Sequence, residues 1–303
     1  MQHVRVGAQP INWINDDFKD LGADITLARC LSEMREAGYE GSELGHRFPD
    51  DAGAVRRTLE CAGLVLVSGW HSTYLAERPL DVEIRRFDAH AEKLWMCGCD
   101  VVIVAECTGA IHGDGRTPLR FGSQRGQLAG DAWRRVCDGL DLLARRAAQR
   151  GMKVAYHEHM GTAVQSAEDV DALMAETRSL SLLLDTGHLH FAGADPLPVL
   201  RRHAARVAHV HLKNVRATVV DEARTRGFTF EQAVRAGVFT VPGDAAGAID
   251  YAPVFAELAR TGYRGWLVVE AEQDPRKANP FEYAKRARAF VRELMRRSEN
   301  GGV

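Results

Sequence analysis

Apolar positions along this chain fall into two alternating rhythms. Where they recur three and four residues apart, as in Leu27–Ala37, Val82–Met96 and Asp131–Arg150, the pattern predicts helices with one buried face. Short apolar runs between such stretches predict buried strands, near Val4–Gln9, Tyr39–Leu44, Leu64–His71, Asp100–Glu106, Lys153–His159, Leu180–Asp185, Val207–Lys213 and Trp266–Glu272. The switch from helix to strand is marked repeatedly by one glycine: Gly38, Gly63, Gly98, Gly151 and Gly262 each end a helical pattern and precede an apolar run. Glycine is favoured just past a helix end because it takes the left-handed conformation without a Cβ clash.

Eight alternations of strand and helix predict a parallel sheet with crossover helices, and eight units point to its closure into a (β/α)8 barrel. Residues 1–303 are read as one such domain, with residues 297–303 a loose tail. An open doubly wound sheet is the alternative. It calls for a glycine-rich phosphate turn after the first strand, and Ala8-Gln9-Pro10-Ile11-Asn12-Trp13 is not one. The longest irregular stretch, Asn214 to Ile249, contains a short helical pattern at Phe230–Ala236 and the turn Pro242-Gly243-Asp244. An insertion of that length after a late strand is expected to serve function, as a lid over the barrel mouth does.

Composition adds exclusions. With 46% hydrophobic residues, 26% charged residues and a net charge of -2, the chain carries no basic excess for nucleic acid or an anionic membrane. No apolar run reaches the roughly 18 residues that span a bilayer, and the N-terminus enters a strand pattern at once with no leader-like apolar stretch. None of the six cysteines forms a CxxC pair or a zinc-finger spacing. A cytoplasmic protein in a reducing compartment is the expectation, and homo-oligomerisation is left open.

The strand ends carry the chemistry. They supply Glu43, His71, Glu106, the run His157-Glu158-His159, Asp185 with His188 three residues on, His209, His211 and Lys213, and finally Glu270 and Glu272. Active sites of such barrels lie at this end of the strands, and groups of this kind are too costly to bury unpaired. Side chains alternate between faces along a strand. Parity therefore lets His157, Asp185, His211 and Glu270 converge from four strands on one point. Two imidazoles and two carboxylates suit a divalent cation such as Mn²⁺ or Co²⁺. Glu43, His71 and Glu106, with Asn12 in the first loop, are assigned to the substrate, and His188, Lys213, His159 and Glu272 to proton transfer. A cation beside Lys213 would push its pKa down towards neutrality, as a base requires, unless the lysine stays charged to hold an oxyanion.

Blander readings apply to some of these. Asp185 before Thr186-Gly187 could simply cap a helix. His209 lies deeper in its strand and fits packing, while His190 and His203 read as ordinary helix or surface residues. A register slip of one residue would exchange Glu158 for His157.

Several segments together resemble a known family. They are Gln9-Pro10-Ile11-Asn12-Trp13 with Asn15-Asp16-Asp17, Tyr156-His157-Glu158-His159-Met160-Gly161-Thr162, Asp185-Thr186-Gly187-His188, His209-Val210-His211-Leu212-Lys213, Phe239-Thr240-Val241-Pro242-Gly243-Asp244, Val269-Glu270-Ala271-Glu272-Gln273-Asp274-Pro275 and Ala278-Asn279-Pro280. The chain resembles the inosose (2-keto-myo-inositol) dehydratases of the xylose-isomerase-like TIM-barrel superfamily over almost its full length. The resemblance implies a hydro-lyase of myo-inositol catabolism that takes scyllo-inosose to a trihydroxycyclohexane-1,2-dione, with Mn²⁺ or Co²⁺ and with glutathione. It also implies a departure here: superfamily relatives commonly place Glu where this chain has His157. The rival readings are a metal-dependent sugar or cyclitol isomerase or epimerase on the same barrel, a nuclease, and a non-catalytic sugar-binding module.

Overall fold

The computed structural model describes residue 1, residues 3–128 and residues 130–299, with 125, 126 and 299 in backbone only. Eleven strands occur among the described residues: β1 (Arg5–Ala8), β2 (Gly41–Ser42), β3 (Val65–Leu66), β4 (Trp70–Thr73), β5 (Val101–Glu106), β6 (Lys153–His157), β7 (Ser181–Asp185), β8 (Val207–Leu212), β9 (Asn214–Val215), β10 (Phe239–Thr240) and β11 (Trp266–Val269). Nine of them form one sheet in the order β3-β2-β1-β11-β8-β7-β6-β5-β4, and each pairing within it is parallel.

The two end strands of that order, β3 and β4, are halves of one expected strand. Across the break, Val67 N donates to Ser42 O at 2.9 Å and Ile103 N to Gly69 O at 3.2 Å, so the chain bonds to both neighbours and closes the sheet into the predicted (β/α)8 barrel. The barrel interior is filled by small apolar clusters, Val101, Ile103, Ala155, Leu183 and Ala208 on one side and Val67, Trp266 and Val268 on the other. Gly41 leaves the space they need: a Cβ there would lie 2.6 Å from Val67 Cγ2 and 3.0 Å from the Trp266 ring. The much larger core lies between the strands and the surrounding helices.

The five helix-ending glycines all take the positive φ that their position predicts, from 68° at Gly63 and Gly262 to 91° at Gly38. The insertion after β8 folds into helices Ala217–Arg226 and Phe230–Ala236 and the antiparallel pair β9–β10. Its Phe230 and Phe239 are buried against the site histidines, so it forms a packed wall of the site. The final helix, Pro280–Glu299, takes in residues 297–299 of the expected tail; 300–303 lie outside the described residues. No helix among the described residues is long and apolar enough to cross a membrane.

Candidate active site

Strand ends β6, β7, β8 and β11 place a dense group of buried ionisable side chains at the bottom of a cavity of about 510 Å³. The ligand atoms of His157, Asp185, His188 and Glu270 lie within 4.8 Å of one another. Asp185 serves two ends at once. Its Oδ1 accepts from Gly187 N and His188 N at 2.8 Å each, capping helix Thr186–Ala192. Its Oδ2 is buried, accepts no hydrogen bond, and lies 3.6 Å from His157 Nε2 and 3.6 Å from His211 Nδ1. The helix cap thus uses one oxygen of the carboxylate and leaves the other facing the two imidazoles.

His211 stands slightly apart from that four-membered group. Its Nε2 lies 3.1 Å from Glu43 Oε1, which also meets His209 Nε2 at 2.7 Å. This anchors the ring, and His188 takes the fourth place in the cluster. His211 Nδ1 still faces the cluster, 2.9 Å from Glu270 Oε2. Burial works against charge on His211, yet Glu270 and Glu43 hold its imidazole well above the usual range. Burial also raises Glu43, but His211 and His209 outweigh it and bring the carboxyl down to about 2. His157 is different: burial and the neighbouring His211 push it down to about 3, so it presents neutral nitrogen. Glu158 points the other way, its Oε1 accepting from Asp185 N at 2.8 Å, and burial raises its carboxyl well above the ordinary range. His157, not Glu158, is the residue of its strand that reaches the cluster.

Lys213 is wholly buried, 2.6 Å from Glu270 Oε1, 2.8 Å from Glu272 Oε2 and 2.8 Å from His188 Nε2. Burial opposes its charge, but Asp185, Glu270 and Glu272 hold the ammonium protonated, in keeping with the second of the two expectations, a lysine that stays charged. Gly187 admits its stem: a Cβ at 187 would sit 2.5 Å from Lys213 Cγ. Of the four proton-transfer candidates, His159 and Glu272 line the cavity, whereas Lys213 and His188 stand behind them, fully buried.

The charge balance bears on a cation. Glu43, Asp185, Glu270 and Glu272 bring four buried carboxylates to one Lys and a set of imidazoles. Buried charges of this kind are paired or coordinate metals. Asp185 Oδ2, which accepts no hydrogen bond and has Lys213 Nζ at 3.5 Å, faces neutral His157 and Glu270, a set that fits a divalent ion with mixed imidazole and carboxylate ligands.

Of the four residues assigned to the substrate, only Glu43 lines the cavity. β4 runs to Thr73, two residues beyond expectation, and Trp70 and Ser72 face inwards. His71 faces the helix layer, its ring 5.8 Å from Phe87, and burial lowers it to about 3. Glu106, on the outward face of β5, accepts from Thr73 Oγ1 at 2.8 Å and Leu75 N at 2.9 Å, tying down the next loop. Asn12 bonds across the barrel seam to Val269 O at 3.0 Å and accepts from Ala271 N. Sequence reasoning gave no role to Trp70, His112 or Asp17, which line the cavity. Trp70 and Ser72 were legible from strand parity. His112 sits in an irregular loop, close against Gly161, where a Cβ would come 2.9 Å from His112 N; no local pattern signals it.

The xylose isomerase-like TIM barrel family model matches residues 31–294. The inosose dehydratase of Geobacillus thermodenitrificans is 46% identical over 292 residues, covering 96% of this chain and 97% of that one. That of Clostridium beijerinckii is 41% identical over 294 residues, with the same coverage. Among solved structures, an L-ribulose 3-epimerase superposes with a TM-score of 0.69 at 18% identity, covering 98% of this chain and 96% of that one. The probable 3-DHS dehydratase of Bacillus anthracis also gives 0.69, at 15% identity, covering 95% and 99%. At such identities these structures speak for the fold alone, whereas the sequence relatives speak for more: this chain belongs to the inosose dehydratases, within the xylose isomerase-like TIM barrels.

Proposed function

We propose that the protein removes water from scyllo-inosose to give a trihydroxycyclohexane-1,2-dione, as a step of myo-inositol catabolism in the cytoplasm. The observation that carries this reading is full-length identity of 40% or more to inosose dehydratases combined with a buried polar cluster suited to α-proton chemistry. His157, Asp185, His211 and Glu270 are the proposed ligands of one divalent cation, Mn²⁺ or Co²⁺, with His188 beside them. When bound, such an ion polarises a carbonyl and makes the neighbouring C–H more acidic.

The chain's own groups divide the remaining work. Glu272 and His159 line the cavity and can meet the α-hydrogen. Lys213, held charged, lies behind Glu272 and favours negative charge growing at the substrate carbonyl oxygen. His188 Nε2 accepts from Lys213 Nζ at 2.8 Å and so steadies the ammonium behind Glu272. The Trp70 ring, 5.4 Å from His157 and 5.7 Å from His159, gives the cavity an apolar flank for ring carbons. A small cyclitol ketone is the partner the cavity suits.

The test is direct. Apoprotein supplied with each of several divalent metals is given scyllo-inosose, and the absorbance of the α-diketone product is followed. Metal-dependent appearance of the diketone is the expected result. Formation of an isomeric inosose without loss of water would instead establish an epimerase, and inertness with every metal would defeat both.

A further inference from the structure

The cation nearest the proposed ligands belongs to the chain itself. Four side chains surround Lys213 Nζ: Glu270 Oε1 at 2.6 Å, Glu272 Oε2 at 2.8 Å, His188 Nε2 at 2.8 Å and Asp185 Oδ2 at 3.5 Å. The Phe239 ring closes a further side, 4.8 Å away. An ammonium has three N–H donors, so it cannot serve four acceptors. The mismatch shows at two oxygens. Asp185 Oδ2 and Glu272 Oε2 are buried and accept no hydrogen bond, although both face Nζ. A metal ion has no such limit of direction and number, and imidazole and carboxylate are donors it takes.

The atoms around Nζ belong to two overlapping groups. One is His157, Asp185, His188 and Glu270; the other is His159, His188 and Glu272, whose ligand atoms also lie within 4.8 Å of one another. Lys213 Nζ meets Glu270 of the first, Glu272 of the second and His188 of both. We propose that the Lys213 side chain stands where a second divalent ion would sit, so that this centre takes one ion and not two. The inference rests on the reading of His157, Asp185, His211 and Glu270 as ligands of the first ion. His188 and Glu272, with His159 beside them, are then the ligands of the latent second place, and shortening Lys213 uncovers them.

The lysine is fixed as firmly as a ligand. Thr186 Oγ1 donates to Lys213 O at 2.8 Å and accepts from Lys213 N at 3.1 Å. Gly187 leaves the channel for the stem, where a Cβ would come 2.5 Å from Lys213 Cγ. Charge fits the same arrangement. One divalent ion and one ammonium nearly balance the buried carboxylates Glu43, Asp185, Glu270 and Glu272. Without the ammonium, Glu270 and Glu272 lose their nearest cation, and buried charge left unpaired is strongly destabilising. A second divalent ion restores the balance. A tethered cation holds its place at every metal concentration, whereas a second ion would come and go.

Chelator-stripped protein reloaded with Mn²⁺ tests this by elemental analysis and electron paramagnetic resonance, neither of which needs turnover. Wild type should hold one ion per chain, with the spectrum of an isolated Mn²⁺. Lys213→Ala should hold two, with the broadened spectrum of an exchange-coupled pair, and its melting temperature should go on rising between the first and second equivalents. Lys213→Gln, closer to lysine in volume, should do the same and serves where alanine leaves the chain unfolded. Glu272→Gln added to the lysine variant should bring the count back to one. That places the second ion at Glu272 and not at Glu43, His209 and His211, another buried group of ligands. Two ions in wild type, one ion in the folded lysine variant, or a second ion that survives Glu272→Gln overturns the proposal. Failure of both lysine variants to fold with Mn²⁺ in excess would do the same, since an ion is then no substitute for the ammonium. Wild-type protein that takes up no divalent ion would instead count against the ligand reading, so the two failures are distinct.

Discussion

Glu43 and His211 are joined head to tail, with Glu43 Oε1 3.1 Å from His211 Nε2 while His211 Nδ1 turns to Glu270 Oε2 at 2.9 Å. A carboxylate that accepts from one nitrogen of a histidine fixes the tautomer and leaves the other nitrogen's lone pair for a metal. Glu43 was assigned to the substrate from its place at a strand end; its hydrogen bonds give it the task of orienting His211.

Glu43→Gln should therefore weaken divalent-ion affinity by about 10- to 100-fold and leave kcat at saturating metal much less affected. Metal titration of turnover, checked by calorimetry, measures both. Unchanged affinity would show that His211 needs no such support or is not a ligand.

Glu270→Gln removes charge without changing shape at the point where His211 and Lys213 meet, 2.9 Å and 2.6 Å away. Turnover should be abolished at low metal concentration while the circular dichroism spectrum stays that of wild type, because strand-end residues of barrels serve function more than stability. Chelation of the wild type should reproduce the loss of activity and lower its melting temperature. An ion held at 100 times its Kd contributes about 2.7 kcal/mol. Full activity of Glu270→Gln at low metal would remove Glu270 from the ligand set.

What could be read from the sequence follows from which physical signals are local. Helix-ending glycines and strand hydrophobicity are local, and they placed the eight barrel units. Parity is local too, and along β6, β8 and β11 it brought His157, His211 and Glu270 to one side. It misplaced His71 because β4 extends to Thr73, so counting from the presumed strand end chose the outward side chain. Glu106 and Asn12 are polar residues near strand ends whose partners, Leu75 and Val269, lie on other segments of the chain. Nothing local distinguishes such a structural tether from a ligand. The charge state of Lys213 was illegible for the same reason: three carboxylates from two other strands decide it.

Gly187 explains one letter of the Asp185-Thr186-Gly187-His188 motif. A Cβ at this position would approach Lys213 Cγ, Cβ and Cδ at 2.5 Å to 2.9 Å. Gly187→Ala should displace the lysine stem and cost about 1–3 kcal/mol in stability, as overpacking generally does. It should also lower kcat by more than tenfold, since the ammonium leaves its position beside Glu272. Thermal melting and steady-state kinetics read the two effects; wild-type values for both would mean the lysine is not confined there.

The group that takes the α-proton must reach the substrate, and this separates the candidates. Lys213 and His188 have no exposed surface and lie behind the cavity wall, while Glu272 and His159 form part of it. His159 Nδ1 lies 2.9 Å from Met160 O, which leaves Nε2 towards the cavity, but burial and His188 hold that imidazole well below its ordinary range, so it is a weak base. Glu272 divides its oxygens: Oε2 meets Lys213 Nζ at 2.8 Å, and Oε1 lies 3.5 Å and 3.9 Å from His188 and His159. One oxygen is thus anchored by the ammonium and the other is left to accept a proton. Glu272→Gln should slow exchange of the substrate α-hydrogen with deuterated solvent by about 100-fold or more, with metal content unchanged. His188→Asn, which removes only a neighbour of the base, should slow it less than tenfold. If Glu272→Gln exchanges at the wild-type rate while His159→Asn does not, the base is His159, and the carboxylate only steadies Lys213.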